Sequence, residues 1–201
     1  MVEKPIIGVL AVQGDFHAHA KALERIGAKS RLAKKPIDLC GLAGLILPGG
    51  ESTTFLKFLE QEGFEQAIRG FGRSHPIFGT CAGAILMAEK VENPPQRSLG
   101  LIHMTTRRNA YGRQLSSSVS RAEAEPELME ESNGSATLEA VLIRAPQITE
   151  VGQEVKTLAK IEGNPVLVRQ GHYLACTFHP ELSADERVHR YFLRMAIDNV
   201  I

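Results

Sequence analysis

The sequence predicts an α/β fold, a single domain over residues 1–201 with a largely parallel central sheet flanked by helices. Three observations predict it. Continuous apolar runs at residues 6–12 and 45–47 read as strands covered on both faces. Segments of helical spacing stand between and after them. The run 45–47 and the short apolar pair Ile77-Phe78 stop abruptly in glycine-rich turns, Pro48-Gly49-Gly50 and Gly79-Thr80-Cys81-Ala82-Gly83. Strand and helix in alternation point to parallel pairing.

The elements follow in order. After the first strand, Phe16, Ala20, Leu23 and Ile26 recur at helical spacing, and Gly27 closes that helix. Residues 29–32 read as a short strand and 45–47 as a better one. Helices are expected at 53–60 and 64–71. Ile77-Phe78 is a strand running into the second glycine turn, and 84–90 continues as helix. Residues 93–114, rich in Pro, Arg and Asn, read as loop. The acidic stretch 119–133 reads as a solvated excursion. Strands are expected again at 138–143, 154–161, 166–169 and 174–177. Val188, Tyr191, Phe192, Met195 and Asn199 then mark a last amphipathic helix. No repeat, low-complexity tract or interdomain linker interrupts the chain.

Composition narrows the function classes. Lys plus Arg and Asp plus Glu both total 23, so the chain has no net charge with which to hold nucleic acid through phosphates. Only 5% of residues are aromatic and Trp is absent, which disfavours base stacking. No apolar run is long enough to span a bilayer. The first one lacks the charge and cleavage pattern of a signal peptide, so it reads as a buried strand. Cys40, Cys81 and Cys176 are odd in number and widely spaced, which fits a reducing cytoplasm rather than a disulfide framework. The histidines show no metal-ligand spacing, and no phosphate-binding glycine loop is present, so neither a metal nor a cofactor is expected.

Three segments carry chemistry. Gly79-Thr80-Cys81-Ala82-Gly83 has the form of a strand-to-helix elbow, which lifts a nucleophile above the sheet edge. Cys81 there would also sit at a helix N-terminus, where the dipole favours an anionic nucleophile. By itself the pentapeptide fits a packed cysteine equally well. Phe178-His179-Pro180-Glu181 supplies a base and a group to orient it, because residues two apart in extended chain point the same way. Alone, a histidine beside a carboxylate is common. Leu47-Pro48-Gly49-Gly50-Glu51-Ser52 offers backbone N–H groups that suit an oxyanion hole. On its own it is an ordinary Pro-Gly turn. All three follow strands, so a parallel sheet would bring them to one C-terminal edge.

Together these segments resemble the class I (triad-type) glutamine amidotransferases, a flavodoxin-like family with an oxyanion loop, a cysteine elbow and a late His-Pro-Glu in this order. More narrowly, the chain is similar to the family of glutaminase subunits of pyridoxal 5′-phosphate synthases. Gly8-Val9-Leu10-Ala11-Val12-Gln13-Gly14, Pro48-Gly49-Gly50-Glu51-Ser52-Thr53, Arg108-Asn109 with Gly112-Arg113-Gln114, and Ile143-Arg144-Ala145-Pro146 carry that narrower likeness. Tyr111 and the stretch 115–119 depart from the family pattern. The departure lies away from the triad and bears on local packing or partner contact.

The resemblance implies hydrolysis of L-glutamine through a thioester on Cys81, with His179 as proton shuttle and Glu181 as its orienting partner. Gly49, Gly50 and Ala82 would supply the oxyanion hole. Gly50, Glu51, Ser52, Arg108, Ile143 and Arg144 match glutamine-binding positions; an ammonium suits Glu51, and a carboxylate suits Arg108 or Arg144. Gln13, Gly14 and His19 match the part of the family that faces the partner, a pyridoxal 5′-phosphate synthase subunit in a large hetero-oligomer. The resemblance also implies that the sugar phosphates, a pentose and a triose, bind that subunit and leave no trace here. Two other readings are a histidine-pathway glutaminase and a non-catalytic domain of the same fold. The first is disfavoured by PGGEST with IRAP, the second by the complete triad.

Overall fold

The computed structural model describes residues 4–108, 117–131 and 134–199. The expected first strand forms as β1 (Ile6–Leu10), and α1 (Phe16–Arg25) follows it with Asp15 as N-cap, its carboxylate accepting from Ala18 N at 3.2 Å. Then come β2 (Lys29–Ala33), β3 (Gly44–Leu47), α2 (Ser52–Gln61), α3 (Phe64–Phe71), β4 (Ile77–Thr80) and α4 (Ala82–Met87). The second half adds β5 (Ala88–Glu92), β6 (Ile102–Arg107), β7 (Ser117–Ala124), α5 (Pro126–Met129), β8 (Thr137–Ile143), β9 (Gln147–Val151), β10 (Lys156–Ile161), β11 (Asn164–Gln170), β12 (Tyr173–Cys176) and α6 (Arg187–Asp198).

Among the described residues the main sheet has nine strands in the order β2-β1-β3-β4-β12-β11-β10-β7-β8. Pairing is parallel from β2 through β12 and antiparallel from β12 onward. The expectation of a largely parallel sheet therefore holds for the half that carries the chemistry, and the whole sheet is mixed. Alternate residues of the central strands feed opposite faces. Leu45 and Leu47 of β3 join Phe55, Leu59, Phe64 and Ile68 of α2 and α3. Ile46 of the same strand joins Leu23 of α1 and Tyr191 and Phe192 of α6.

Several elements differ from expectation, each for a physical reason. The helix expected over 84–90 stops at Met87, because Ala88 turns extended (ψ 149°) and β5 pairs in parallel with β6. Tertiary pairing overrides the helix propensity of Ala88, Glu89 and Lys90. The expected loop at 93–114 contains β6, which joins β5 and β9 in a separate three-stranded sheet. Residues 109–114 and 115–116, which include most of the RN-x-x-GRQ motif and part of the departing stretch, lie outside the described residues.

The acidic 119–133 stretch is no free excursion. It pairs as β7 with β8 and β10, buries Ala122, Ala124 and Leu128, and anchors Glu127 to Arg169 (3.2 Å), Lys156 and Tyr191. Small buried side chains alternating with charged ones left no apolar run to read. Apolar packing is the simplest expectation for Cys40 and Cys176; Cys176 is buried, but Cys40 is exposed.

Candidate active site

Four neighbouring parallel strands, β1, β3, β4 and β12, end at the same sheet edge, and the loop after each reaches the site. After β4, Cys81 takes a positive φ of 48°, a strained conformation for a residue with a Cβ that costs about 1–3 kcal/mol. The flanking glycines make the elbow possible. A Cβ on Gly83 would lie 2.1 Å from Leu47 O, and one on Gly79 would lie 2.6 Å from Gly83 C. The Cys81 backbone is held by its N–H donating to Cys176 O at 2.9 Å. Ala82 opens α4, so its N–H has no intrahelical acceptor and remains available to a ligand.

After β12 the chain is fixed by His179 N donating to Val141 O at 2.8 Å, which brings β8 over the site. The His179 and Glu181 side chains meet, with Nδ1 2.7 Å from Oε1. Burial works to lower the imidazole pKa, but hydrogen bonding of the imidazole to the Cys81 and Glu181 side chains outweighs it and pushes His179 up to about 10. Burial likewise works to raise the Glu181 carboxyl, yet the facing imidazoles hold it below its ordinary value. Glu181 is only 4% exposed and sits behind the histidine, away from the residues that line the cleft.

After β3, Gly49 separates the two reactive side chains from the first loop. A Cβ there would lie 2.5 Å from His179 Cε1 and 3.3 Å from Cys81 Cβ. The Gly49 carbonyl faces Gly14, where a Cβ would lie 1.8 Å from it. Gly50 has φ +148°, and a Cβ on it would meet the Gln13 amide at 2.5 Å. With its amide oriented to satisfy both ends, Gln13 donates to Glu51 O (3.2 Å) and accepts from Glu51 N (2.9 Å). The loop after β1 is thus packed directly on the Gly49-Gly50 turn.

A cleft opens over Cys81 and His179. It is lined by Gly50, Glu51, Ser52, Arg108, Ile143 and Arg144, every position matched to glutamine binding, together with Ile85 and Pro146. Ile85 was not singled out in the sequence and Pro146 only as the end of the 143–146 motif, because apolar residues in a helix and a turn carry no chemical signature. Within the cleft, the Glu51 carboxylate caps α2 by accepting from Thr53 N (3.0 Å) and Thr54 N (2.7 Å). Desolvation opposes its ionisation, but these bonds and the threonine hydroxyls hold its pKa down to about 2. Arg108 Nη2 lies 3.3 Å from Glu51 Oε1. The Ser52 hydroxyl donates to Gln96 Oε1 at 3.1 Å. Sγ of Cys81 is 4.0 Å from the Ile143 carbonyl, and Arg144 (φ 44°) is exposed at the rim.

Of the three expected partner-facing residues, Gly14 is exposed and Gln13 half-buried, but His19 is wholly buried. It cannot face a partner. It lies on the inward stripe of α1 with Ala22 and Leu23, beneath the triad.

A thiol, an imidazole and a buried carboxylate at the C-terminal edge of an α/β sheet form an arrangement suited to nucleophilic cleavage of an amide. Residues 9–198 match the SNO glutamine amidotransferase family, and the chain belongs to that family. It is 53% identical to the pyridoxal 5′-phosphate synthase subunit PdxT of Koribacter versatilis (strain Ellin345), over 94% of each chain. The PdxT subunit of Solibacter usitatus (strain Ellin6076) is 50% identical, over 93% of this chain and 97% of that one. A solved structure described as a glutamine amidotransferase superposes with a TM-score of 0.86 at 43% identity, covering 94% of this chain and 98% of that one.

Proposed function

We propose that this chain hydrolyses L-glutamine to L-glutamate and ammonia and passes the ammonia to a pyridoxal 5′-phosphate synthase subunit. The observation that carries the reading is the cleft, where Cys81 and His179 meet all six matched glutamine positions. The names of the relatives support the acceptor, and they disfavour a histidine-pathway glutaminase.

The chemistry follows from the geometry. The Cys81 sulfur attacks the side-chain amide carbon, forming a C–S bond. The negative charge on the amide oxygen is met by N–H groups of Gly50 or Gly49 and Ala82. His179, which holds the proton given up by the Cys81 thiol, passes it to the departing nitrogen as the C–N bond breaks. Ammonia leaves and a thioester remains. Neutral His179 then takes a proton from water, whose oxygen attacks the thioester; the C–S bond breaks and glutamate is released. Arg108 or Arg144 receives the glutamine carboxylate, and Glu51 its ammonium. The partner assembly is a hetero-oligomer in the cytoplasm, a compartment that suits three unpaired cysteines.

The first loop connects partner and chemistry. Gln13 and Gly14 reach the surface and touch the Gly49-Gly50 turn, whose peptide can turn either its C=O or its N–H toward the site at low steric cost. A synthase that binds the N–H state preferentially would complete the oxyanion hole. Steady-state glutamate formation at saturating glutamine is expected to rise about 10²- to 10³-fold with the cognate synthase. Gly14→Ala, driven against the Gly49 carbonyl, is expected to lose most of that stimulation. Equal rates with and without the synthase would remove the gate from the account.

A further inference from the structure

Glu181 has two carboxylate oxygens, and the triad uses one. Oε1 meets His179. Oε2 is buried and makes no well-aligned hydrogen bond, yet His19 Nε2 lies 3.3 Å from it. The same nitrogen is 3.1 Å from Oγ1 of Thr80, the residue before the nucleophile. On its other side, His19 Nδ1 is 3.1 Å from Nε2 of His189 on α6. Both histidines are almost wholly buried, and His189 Nδ1 has no hydrogen-bond partner among the described residues.

Proton placement in this chain has one economical solution. Burial pushes both imidazoles toward the neutral form, His189 to about 3, so each carries one proton. If His19 carried it on Nδ1, a lone pair on Nε2 would face the Glu181 carboxylate, and His189 would bury an unpaired N–H. If His19 carries it on Nε2, that N–H points between Glu181 Oε2 and Thr80 Oγ1. His189 Nε2–H then donates to His19 Nδ1, and only a lone pair on His189 is left without a partner. The second arrangement pairs both imidazole N–H groups and leaves no lone pair facing the carboxylate.

We propose that His19 is a positioning residue of the catalytic site, holding Glu181 from behind through Nε2–H, with His189 fixing its tautomer. A carboxylate gripped at both oxygens cannot rotate away from His179, so the imidazole stays aligned for each proton transfer. The inference rests on the glutaminase reading. His19 touches neither substrate nor thiol, so its effect belongs in turnover and not in glutamine affinity.

The test uses the chain with its cognate synthase, following glutamate formation. His19→Gln places an amide nitrogen near the position of Nε2, whereas His19→Asn reaches only that of Nδ1. A merely structural role would be served about equally by both. The expected result is kcat within about 5-fold of wild type for His19→Gln and a loss of about 10- to 100-fold for His19→Asn and His19→Leu. KM should stay within about twofold throughout. If His19→Leu does not fold, the Gln and Asn pair decides. Equal kcat for those two, or a change confined to KM, would overturn the proposal. Wild-type complex that forms no glutamate, or Cys81→Ala that forms it normally, would instead overturn the glutaminase reading beneath it.

Discussion

Cys81→Ala is expected to reduce glutamine hydrolysis by at least about 10⁴-fold while leaving the chain folded. The thiol is the only reacting atom that the elbow presents, and neither His179 nor the oxyanion donors can replace the covalent step. Loss of one small side chain beside glycines changes little packing, so the melting temperature should move by no more than about 4 °C. A glutamine-derived electrophile should modify Cys81. Cys176 is shielded by complete burial, which also pushes its thiol pKa well above the ordinary value. Cys40 is exposed but lies outside the cleft, so peptide mapping separates specific from general alkylation. Turnover by Cys81→Ala, or modification chiefly at Cys40, would end the assignment of the nucleophile.

Glu181→Gln is expected to lower kcat by about 10²- to 10⁴-fold with little change in KM. The amide preserves shape but no longer stabilises the imidazolium. The same substitution should move the pH profile in a definite direction. His179 stays protonated until the pH nears about 10, so the alkaline limb of kcat belongs near there in the wild type, well above the ordinary histidine range. Glu181 is one of the two groups that raise this value, so its removal should carry the limb to lower pH. A rise in KM with kcat unchanged would make Glu181 a substrate ligand. An unmoved alkaline limb would place the titration elsewhere.

The parts of the site that the sequence made legible are those whose backbone demands particular residues. Glycines at 79 and 83 are required by approaches that no Cβ survives, and Gly49 must leave room for His179. His179 and Glu181 were readable as a base beside a carboxylate, but Pro180–Leu182 forms a 3-10 turn where extended chain was expected, and the two side chains meet across that turn. What stayed hidden was structure made by polar residues. β6 is built on threonines, and β7 on alanines alternating with Ser, Arg and Glu, so neither shows an apolar run. The antiparallel half of the main sheet was underestimated for the same reason.

His19 is the instructive miss. Its match to the part of the family that faces the partner suggested a surface residue. The helix spacing held the contrary signal, because positions 19, 22 and 23 form one stripe and the last two are buried apolar residues. A histidine in that stripe needs buried partners, and Glu181, Thr80 and His189 are supplied by three separate segments. Nothing local announces them.

The central claim is that amide nitrogen leaves glutamine at Cys81 and enters the cofactor made by the partner. The direct measurement uses L-glutamine labelled with nitrogen-15 in its amide, the cognate synthase and its sugar phosphates in ammonium-free buffer, with mass analysis of the product. Pyridoxal 5′-phosphate contains a single nitrogen. The account predicts that this atom carries the label when the wild-type chain is present and that Cys81→Ala yields no labelled product. Unlabelled or absent product from the wild-type chain, under conditions where the same synthase works on added ammonium, would contradict it.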